Sequence, residues 1–151
     1  MNLILRALGI PEALQHEALL DEALGESSEA LGQGSLPAGS ARRLLESAAG
    51  RDETLVVGAG EEGGPPVAVC LAVPLEEPLT RASVPLIVAL YVAPALRNRG
   101  IARTLVGEVR RLFSVRGIHT LSVRAGHNDD ALISMGERWG FVRRWELLAY
   151  E

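Results

Sequence analysis

Residues 84–102 read VPLIVALYVAPALRNRGIA, and the character of the chain changes within this stretch. Its first nine residues carry no charge on either face, which predicts a central strand covered from both sides. Pro85 near the start predicts that this strand is fully paired only beyond that position. From Ile101 to Arg116 the apolar residues recur at helical spacing, and Gly117 is suited to follow the helix end. The stretch therefore predicts a strand, an arginine-rich loop and a helix.

The loop between the strand and the helix has the features of an anion site. A helix N-terminus offers unpaired N–H groups and the positive end of the helix dipole, which favours a pyrophosphate. Gly100 allows a close backbone approach, and small Ala102 does not crowd it. Arg97 and Arg99 add charges suited to phosphate oxygens. The loop has neither a Walker pattern nor a dinucleotide-binding glycine pattern. An ordinary strand-to-helix connection with solvated arginines is the alternative interpretation.

Patterns elsewhere predict that residues 1–151 form a single domain of mixed α/β class. Further strands are expected at 3–8, 54–59, 67–73, 119–123, and 141 together with 145–149. Further helices are expected at 11–24, 40–50 and 128–140, with Ser40 and Asn128 as N-caps and residues 25–39 as a loop. The order β-α-α-β-β-β-α-β-α-β predicts an α+β fold with a largely antiparallel central sheet and helices on both faces.

The net charge of −4 is unevenly distributed along the chain. Residues 1–66 hold eleven acidic residues and four arginines, whereas residues 94–151 hold ten arginines and six acidic residues. This asymmetry suits a protein that binds a polyanion with its second half and a cationic group with its first. Two ordinary solvated faces are the alternative interpretation.

The composition argues against several classes of protein. Apolar residues make up 48% of the chain, yet no apolar run is long enough to span a bilayer, so we expect a folded protein without membrane partners. The first residues lack a signal-peptide pattern, and the single cysteine, Cys70, suits a reducing compartment, so we expect the cytoplasm. No cluster has metal-ligand spacing, and no basic-aromatic pattern indicates nucleic-acid binding.

Two motifs in the second half of the chain resemble those of a known family. Leu90-Tyr91-Val92-Ala93-Pro94 followed by Arg97-x-x-Gly100-x-Ala102 resembles the central motif of the GNAT superfamily of N-acyltransferases. Asn128-x-x-Ala131 with Gly140-Phe141 resembles the following strand and helix of that family. The resemblance is detailed over residues 88–141 and rests on element order before that. It implies transfer of an acetyl group from acetyl-CoA to a primary amine of a small molecule or peptide, without a metal.

The resemblance also implies roles for individual residues. The backbone of the strand end would face the acyl group and the pantetheine arm, and the N–H of Val92 would polarise the thioester carbonyl. The loop N–H groups would hold the pyrophosphate beside Arg97, with Thr104 adding a hydroxyl, and Asn128 would reach the pantetheine. The implied cofactor-binding residues are Leu90, Tyr91, Val92, Arg97, Asn98, Arg99, Gly100, Ile101, Ala102, Thr104, Asn128 and Ala131. Terminal strands in this fold often pair between copies, which favours a homodimer.

The chain departs from the family pattern at the residues that move protons. Gly136 stands where many members carry a tyrosine that protonates the leaving thiolate, and the strand at 84–92 has no acid to serve as a base. A thiol has a pKa of about 8.5, so its thiolate can leave without that tyrosine. Glu76, Glu77, His127 or a water chain are the candidate bases. A non-catalytic acyl-CoA-binding or interaction domain of the same fold is the alternative function.

Other residues have plainer interpretations. We expect Tyr91 to pack in the sheet, Cys70 to be a small buried hydrophobe, and the histidines to be structural or exposed more often than catalytic. The acidic first half is expected to form the walls that face the amine, mainly residues 25–39 and the strands near Glu76.

Overall fold

A five-stranded sheet forms the centre of the computed structural model, which describes residues 2–144 and 147–150. The first four strands pair as antiparallel neighbours in chain order, and the fifth joins the fourth in parallel. The mixed, largely antiparallel sheet expected from the sequence is therefore confirmed. The strands are β1 (Ile4–Leu8), β2 (Leu55–Gly60), β3 (Ala68–Glu76), β4 (Ser83–Val92) and β5 (Ser122–Val123).

Helices cover both faces of this sheet, also as expected. One face carries the helix that follows β4, and the other carries the helices that precede β2. A 3-10 turn, Leu14–His16, joins the first two helices, and another, Pro94–Leu96, follows β4. The helices are α1 (Ile10–Ala13), α2 (Glu17–Ala30), α3 (Ser40–Ser47), α4 (Ile101–Val115) and α5 (Asp130–Arg138).

Side chains along the central strands point alternately to the two faces of the sheet, so the core consists of two layers. Val57 and Cys70 point to the α4 layer, where Phe113 is almost fully buried. Val56 and Leu71, each one residue away, point to the layer formed with α2 and α3. Burial raises the pKa of the Cys70 thiol to about 12, which agrees with its expected role as a small hydrophobe.

A β-bulge in β4 interrupts this alternation. Leu71 of β3 pairs with Ala89, whereas the next residue of β3 pairs with Ile87, so Val88 is the extra residue. Ile87 therefore belongs to the α4 layer and Ala89 to the α2 layer, although they lie two residues apart. β4 also begins before Pro85 and pairs there with β3, while β5 joins only from Leu86 onward. The expectation of incomplete pairing near Pro85 thus holds only for the β5 side.

The first long helix differs from its prediction at both ends. The predicted helix at 11–24 is interrupted by the 3-10 turn, and α2 continues through Gly25 to Ala30. Glycine in a helix interior costs about 1 kcal/mol, but burial of Leu20, Leu24 and Ser28 on one face outweighs it. Residues 25–30 are therefore helical, and only the rest of the predicted 25–39 loop, residues 31–39, lacks regular structure apart from turns at 31–32 and 38–39.

The start of α3 is stabilised by a residue that is distant in the sequence. Its N-cap is Gly39, with a left-handed φ of 84°, and Ser40 is already helical. Asp21 of α2 accepts hydrogen bonds from the N–H groups of Gly39 (3.2 Å) and Ala41 (2.9 Å). The predicted Ser40 cap is therefore wrong, because the Asp21 carboxylate already occupies the helix N-terminus. The helix ends at Ser47, earlier than the expected end near Gly50.

The last predicted strand is wrong for the part of the chain that the structure describes. Residues 141–144 and 147–149 have no strand conformation, while 145 and 146 lie outside the described residues. Val142, Leu147 and Leu148 are 66%, 84% and 90% exposed, so they bury no apolar face against the sheet. The preceding strand, β5, is also two residues long instead of the predicted 119–123. It offers few backbone groups for a further strand.

We expect Val109→Ala to lower the free energy of unfolding by about 2 kcal/mol, because Val109 is fully buried in the α4 layer. Val115→Ala is the matched control, since Val115 lies on the same helix and is 76% exposed. Val115 is also the last residue of α4 and buries little surface, so the control is expected to stay within about 0.5 kcal/mol of the wild type. Urea denaturation measures both values. Equal destabilisation by the two variants would contradict the assigned packing of α4.

Candidate active site

A cavity of about 420 Å³ lies where β4 and β5 part. The two strands pair only at Leu86 with Ser122 and at Ile87 with Val123. Beyond Ile87, the edge of β4 that faces β5 has no strand partner within residues 2–144 and 147–150. The open edge of β4 forms one wall of the cavity, and the other walls come from the C-terminal part of α2, the start of α4 and one side of α5.

Two of the three predicted backbone residues face this cavity. The N–H of Ala93 donates to Val67 O at 2.9 Å, which directs the backbone of Ala93 toward β3. Backbone groups alternate along an antiparallel strand, so those of Val92 and Leu90 point to the open edge, and both residues line the cavity. Tyr91 faces the opposite way.

Tyr91 belongs to the other side of the sheet. Its side chain is 5% exposed within the α2 layer, and its hydroxyl donates to Glu22 Oε1 at 2.9 Å. Burial, and then the hydrogen bond to Glu22, raises the pKa of this phenol. The expected packing role of Tyr91 is confirmed, and its side chain does not line the cavity.

The loop before α4 is shaped to present backbone N–H groups. Asn98 and Gly100 have left-handed φ angles of 64° and 79°, and Gly100 is the N-cap of α4. No side chain in the described part of the chain caps this helix, so none of those side chains bonds its first N–H groups. Backbone that alternates into the left-handed region forms a concave, anion-binding arrangement. Among the predicted loop residues, Arg97, Asn98, Gly100, Ile101 and Ala102 line the cavity.

The guanidinium group of Arg97 is held between two elements. Its Nε donates to Val92 O at 2.8 Å, and its Nη2 donates to both carboxylate oxygens of Glu26, at 2.9 and 3.1 Å. Arg103 and Arg124 also line the cavity and add positive charge.

Two predicted loop residues are not brought to the cavity. Arg99 is exposed and lies outside the lining. The hydroxyl of Thr104 donates to Gly100 O at 3.0 Å, within the first turn of α4. Thr104 thus bonds a backbone oxygen of its own helix and does not face the cavity.

The predicted residues near α5 adjoin a second cavity of about 400 Å³, which shares part of its lining with the first. Asn128 and His127 line this second cavity, whereas Ala131 is exposed and lines neither. The N-cap of α5 is Asp129, whose Oδ1 accepts from the N–H of Leu132 at 3.1 Å. The predicted Asn128 cap is therefore wrong by one residue, because the Asp129 carboxylate reaches that N–H.

The predicted bases at the β3–β4 hairpin lie far from the cavity. Glu76 pairs in register with Ser83, about 20 Å along β4 from Leu90 at the rise of an extended strand, and it forms an ion pair with Arg81. The carboxylate of Glu77 accepts from the N–H groups of Thr80 and Leu79, which lowers its pKa. The structure thus does not bring these two carboxylates to the cavity.

No tyrosine lines the cavity within the part of the chain that the structure describes. Met135 and Trp139 form the α5 wall, and Gly136 stands beside them next to Phe141. The lining carboxylates are Asp129, which caps α5, and Glu26.

Glu26 is a cavity residue that the sequence analysis does not name individually, although it falls in the 25–39 segment expected to face the amine. The sequence predicts a loop there because Gly25 is a typical helix end. The signal that could have found it is the spacing of Glu22 and Glu26, which places two carboxylates one turn apart on the same helical face. In the structure, α2 continues and directs Glu26 to Arg97.

Two further features concern metal-binding groups and membrane-spanning helices. Among residues 2–144 and 147–150, no group of three or more His, Cys, Asp or Glu side chains could hold a metal ion. In the same described residues, no helix has the length and apolar character needed to cross a membrane.

Comparison with known proteins adds evidence independent of this geometry. The model of the acetyltransferase (GNAT) family matches residues 17–141. No curated protein matches the chain at a significant level.

Several solved structures share the fold. An aminoglycoside acetyltransferase, HMB0005, from an uncultured soil metagenomic sample is 27% identical, with a TM-score of 0.64 and coverage of 100% of this chain and 97% of that one. AAC(6')-Iy in complex with a CoA-S-monomethyl-acetylneamine bisubstrate analogue is 16% identical, with a TM-score of 0.74 and coverage of 100% and 98%. A ribosomal-protein-alanine N-acetyltransferase from Brucella melitensis biovar Abortus 2308 is 19% identical, with a TM-score of 0.71 and coverage of 100% and 99%.

Asp129→Ala is expected to destabilise the first turn of α5 by about 1 kcal/mol, because it removes the acceptor for the Leu132 N–H. Hydrogen exchange at the Leu132 amide measures this effect and is expected to quicken about five-fold. Asn128→Ala, one residue earlier, is the control and is expected to leave the exchange rate unchanged. Faster exchange in the Asn128→Ala protein alone would contradict the assigned cap.

Proposed function

Because the chain belongs to the acetyltransferase (GNAT) family, we propose that it transfers the acetyl group of acetyl-CoA to a primary amine of a small molecule or peptide. The observation that carries this proposal is the open edge of β4 beside the uncapped start of α4, both lining one cavity. The neighbour solved with a CoA-containing bisubstrate analogue has the same fold, which supports CoA as the acetyl carrier here.

The residues at the start of α4 fit the pyrophosphate of CoA. The unclaimed N–H groups that follow Gly100 and the positive end of the α4 dipole favour an anion. Arg97 supplies a charged donor beside them, and Arg103 adds a second positive side chain to the wall. Arg99, Thr104, Asn128 and Ala131 are therefore weaker candidates than the residues that line this cavity.

The backbone groups at the end of β4 fit the pantetheine arm of CoA and the carbonyl of the thioester. The N–H and C=O groups of Leu90 face the cavity and suit the amides of the pantetheine arm. The N–H of Val92 faces the same way and would polarise the thioester carbonyl as the amine attacks. Acetyl-CoA supplies the activated acyl group, and the protein orients it.

Proton transfer is proposed to depend little on a protein acid. A thiol of pKa about 8.5 leaves as a thiolate near neutral pH without a tyrosine donor. His127, in the adjoining cavity, and water are the remaining candidates for the base, since Glu76 and Glu77 lie at the far hairpin.

The acceptor is proposed to enter along α2. Glu26, Ser27, Ala30 and Leu31 form that wall and belong to the acidic first half of the chain. Aminoglycosides and the alanine of a ribosomal protein are the acceptors named for the neighbouring structures. The Glu26 carboxylate of this wall suits an ammonium group on either of them.

The alternative is an acyl-CoA-binding domain that performs no transfer. Gly136 is the observation that favours it, because the α5 wall offers Met135 and Trp139 but no proton donor to the leaving group. Turnover measurements separate the two functions.

Arg97→Gln is expected to weaken CoA binding about ten-fold, because it removes one charge-assisted contact to the pyrophosphate. Arg110→Gln is the matched control, since Arg110 is an exposed arginine of α4 outside the cavity. Isothermal titration calorimetry measures both. A wild-type protein that binds neither CoA nor acetyl-CoA at high micromolar concentration would refute the cofactor assignment.

Release of CoA thiol from acetyl-CoA in the presence of a panel of amines, aminoglycosides and peptides is expected to exceed the background rate. The ratio kcat/KM is expected to rise with pH as the amine loses its proton, without a fall before about pH 9, because no tyrosine among the described residues lines the cavity. CoA binding without turnover of any amine would favour the non-catalytic alternative.

A further inference from the structure

The side chain assigned to the pyrophosphate already has an anionic partner. Arg97 Nη2 contacts both carboxylate oxygens of Glu26, at 2.9 and 3.1 Å, and Arg97 Nε contacts Val92 O at 2.8 Å. One guanidinium thus joins the end of β4 to α2 across 71 residues of sequence. A pyrophosphate at the start of α4 would place further negative charge against the same group.

The ion pair is suited to open. The side chains of Arg97 and Glu26 are 40% and 51% exposed, and such exposed pairs contribute little to stability. Buried residues of α2, including Leu20 and Leu24, hold the helix on the sheet independently of this pair. Arg97 can therefore exchange one anion for another while the fold is kept.

The residues around Glu26 disfavour a state in which its carboxylate has no positive charge beside it. Glu22 lies one turn earlier on α2, and like charges at this spacing repel. Glu22 is bonded to the Tyr91 hydroxyl, which brings no positive charge, and the guanidinium of Arg97 lies 5.6 Å from the centre of the Tyr91 ring. When Arg97 turns to another anion, the two carboxylates lose the positive charge beside them, and a cation from solution or substrate would replace it.

The position of Glu26 connects it with the reacting end of the cavity. Glu26 and Val92 both line the cavity and both bond the planar guanidinium of Arg97, so the bonded oxygens lie at most about 8 Å apart. An acceptor held at Glu26 through one ammonium group would thus bring a second, neutral amine close to the N–H that is proposed to polarise the thioester.

We propose that Glu26 and the pyrophosphate of CoA compete for Arg97, so that CoA binding frees the Glu26 carboxylate to bind a cationic amine. This inference rests on the proposed function and specifies the charge of the acceptor. Acetyl-CoA and the acceptor then favour each other's binding, since coupling between sites is reciprocal. Acceptors that carry an ammonium group are preferred over neutral ones.

The first test compares CoA affinity in the wild type, Glu26→Gln and Glu29→Gln by calorimetry at low salt. Glu26→Gln removes the competitor and is expected to bind CoA about five-fold more tightly, with the difference shrinking in 0.5 M NaCl. Glu29 is an exposed carboxylate of the same helix outside the cavity, so its variant is expected to match the wild type. Unchanged or weaker CoA binding by Glu26→Gln would refute the competition, whereas absence of binding by the wild type would refute the proposed function itself.

The second test measures binding of putrescine, a diamine cation at neutral pH, with and without saturating CoA. A titration of putrescine into CoA alone provides the baseline. CoA is expected to tighten putrescine binding to the wild type and to Glu29→Gln by about five-fold, and to have no such effect on Glu26→Gln. Equal affinity with and without CoA in the wild type, or no measurable binding in either case, would contradict the role of Glu26 in receiving the amine, as would coupling that persists in Glu26→Gln.

Discussion

Within residues 2–144 and 147–150, only two residue pairs join β4 to β5, and the candidate site depends on the separation of the two strands beyond them. Backbone N–H and C=O groups require hydrogen-bond partners, so a strand edge without a neighbouring strand is open to another partner. Leu90 and Val92 present such groups to the cavity, and the Arg97 guanidinium already donates a hydrogen bond to the Val92 carbonyl. An extended ligand arm with amide groups can replace the missing strand.

The bulge at Val88 and the two-layer core keep this edge in position. The extra residue exchanges the faces of the sheet to which the later side chains of β4 point. As a result, Ala89 and Tyr91 pack under α2, while Ile87 and Val92 pack in the α4 layer. Cores on both faces then hold the strand and two of the helices that border the cavity, α2 and α4. Chemistry carried by backbone atoms needs such support, because no side-chain rotamer can correct an error in strand placement.

Charges that are separated in the sequence meet in the cavity. The excess of acidic residues in the first half and of arginines in the second suggested two faces with different partners. The structure instead brings Glu26 of α2 against Arg97, beside other arginines at the start of α4. The uneven distribution of charge along the chain therefore concerns a single cavity, in which one wall carries an acidic side chain and another carries arginines.

The sequence by itself determined the class of the fold, the order of most elements and the strand–loop–helix unit around Gly100, because apolar period, glycine and helix ends are local signals. It also indicated the family, through residues that lie close together in the chain. Only the tertiary structure decided that α2 continues past Gly25, that Asp21 caps α3, that Tyr91 turns away from the cavity and that Glu26 meets Arg97. Each of these depends on contacts between residues about 20 to 70 positions apart, where burial and charge pairing override local propensity. The shortness of β5 and the absence of a strand at 141–144 and 147–149 were likewise decided by the tertiary structure, since strand pairing depends on residues distant in the sequence.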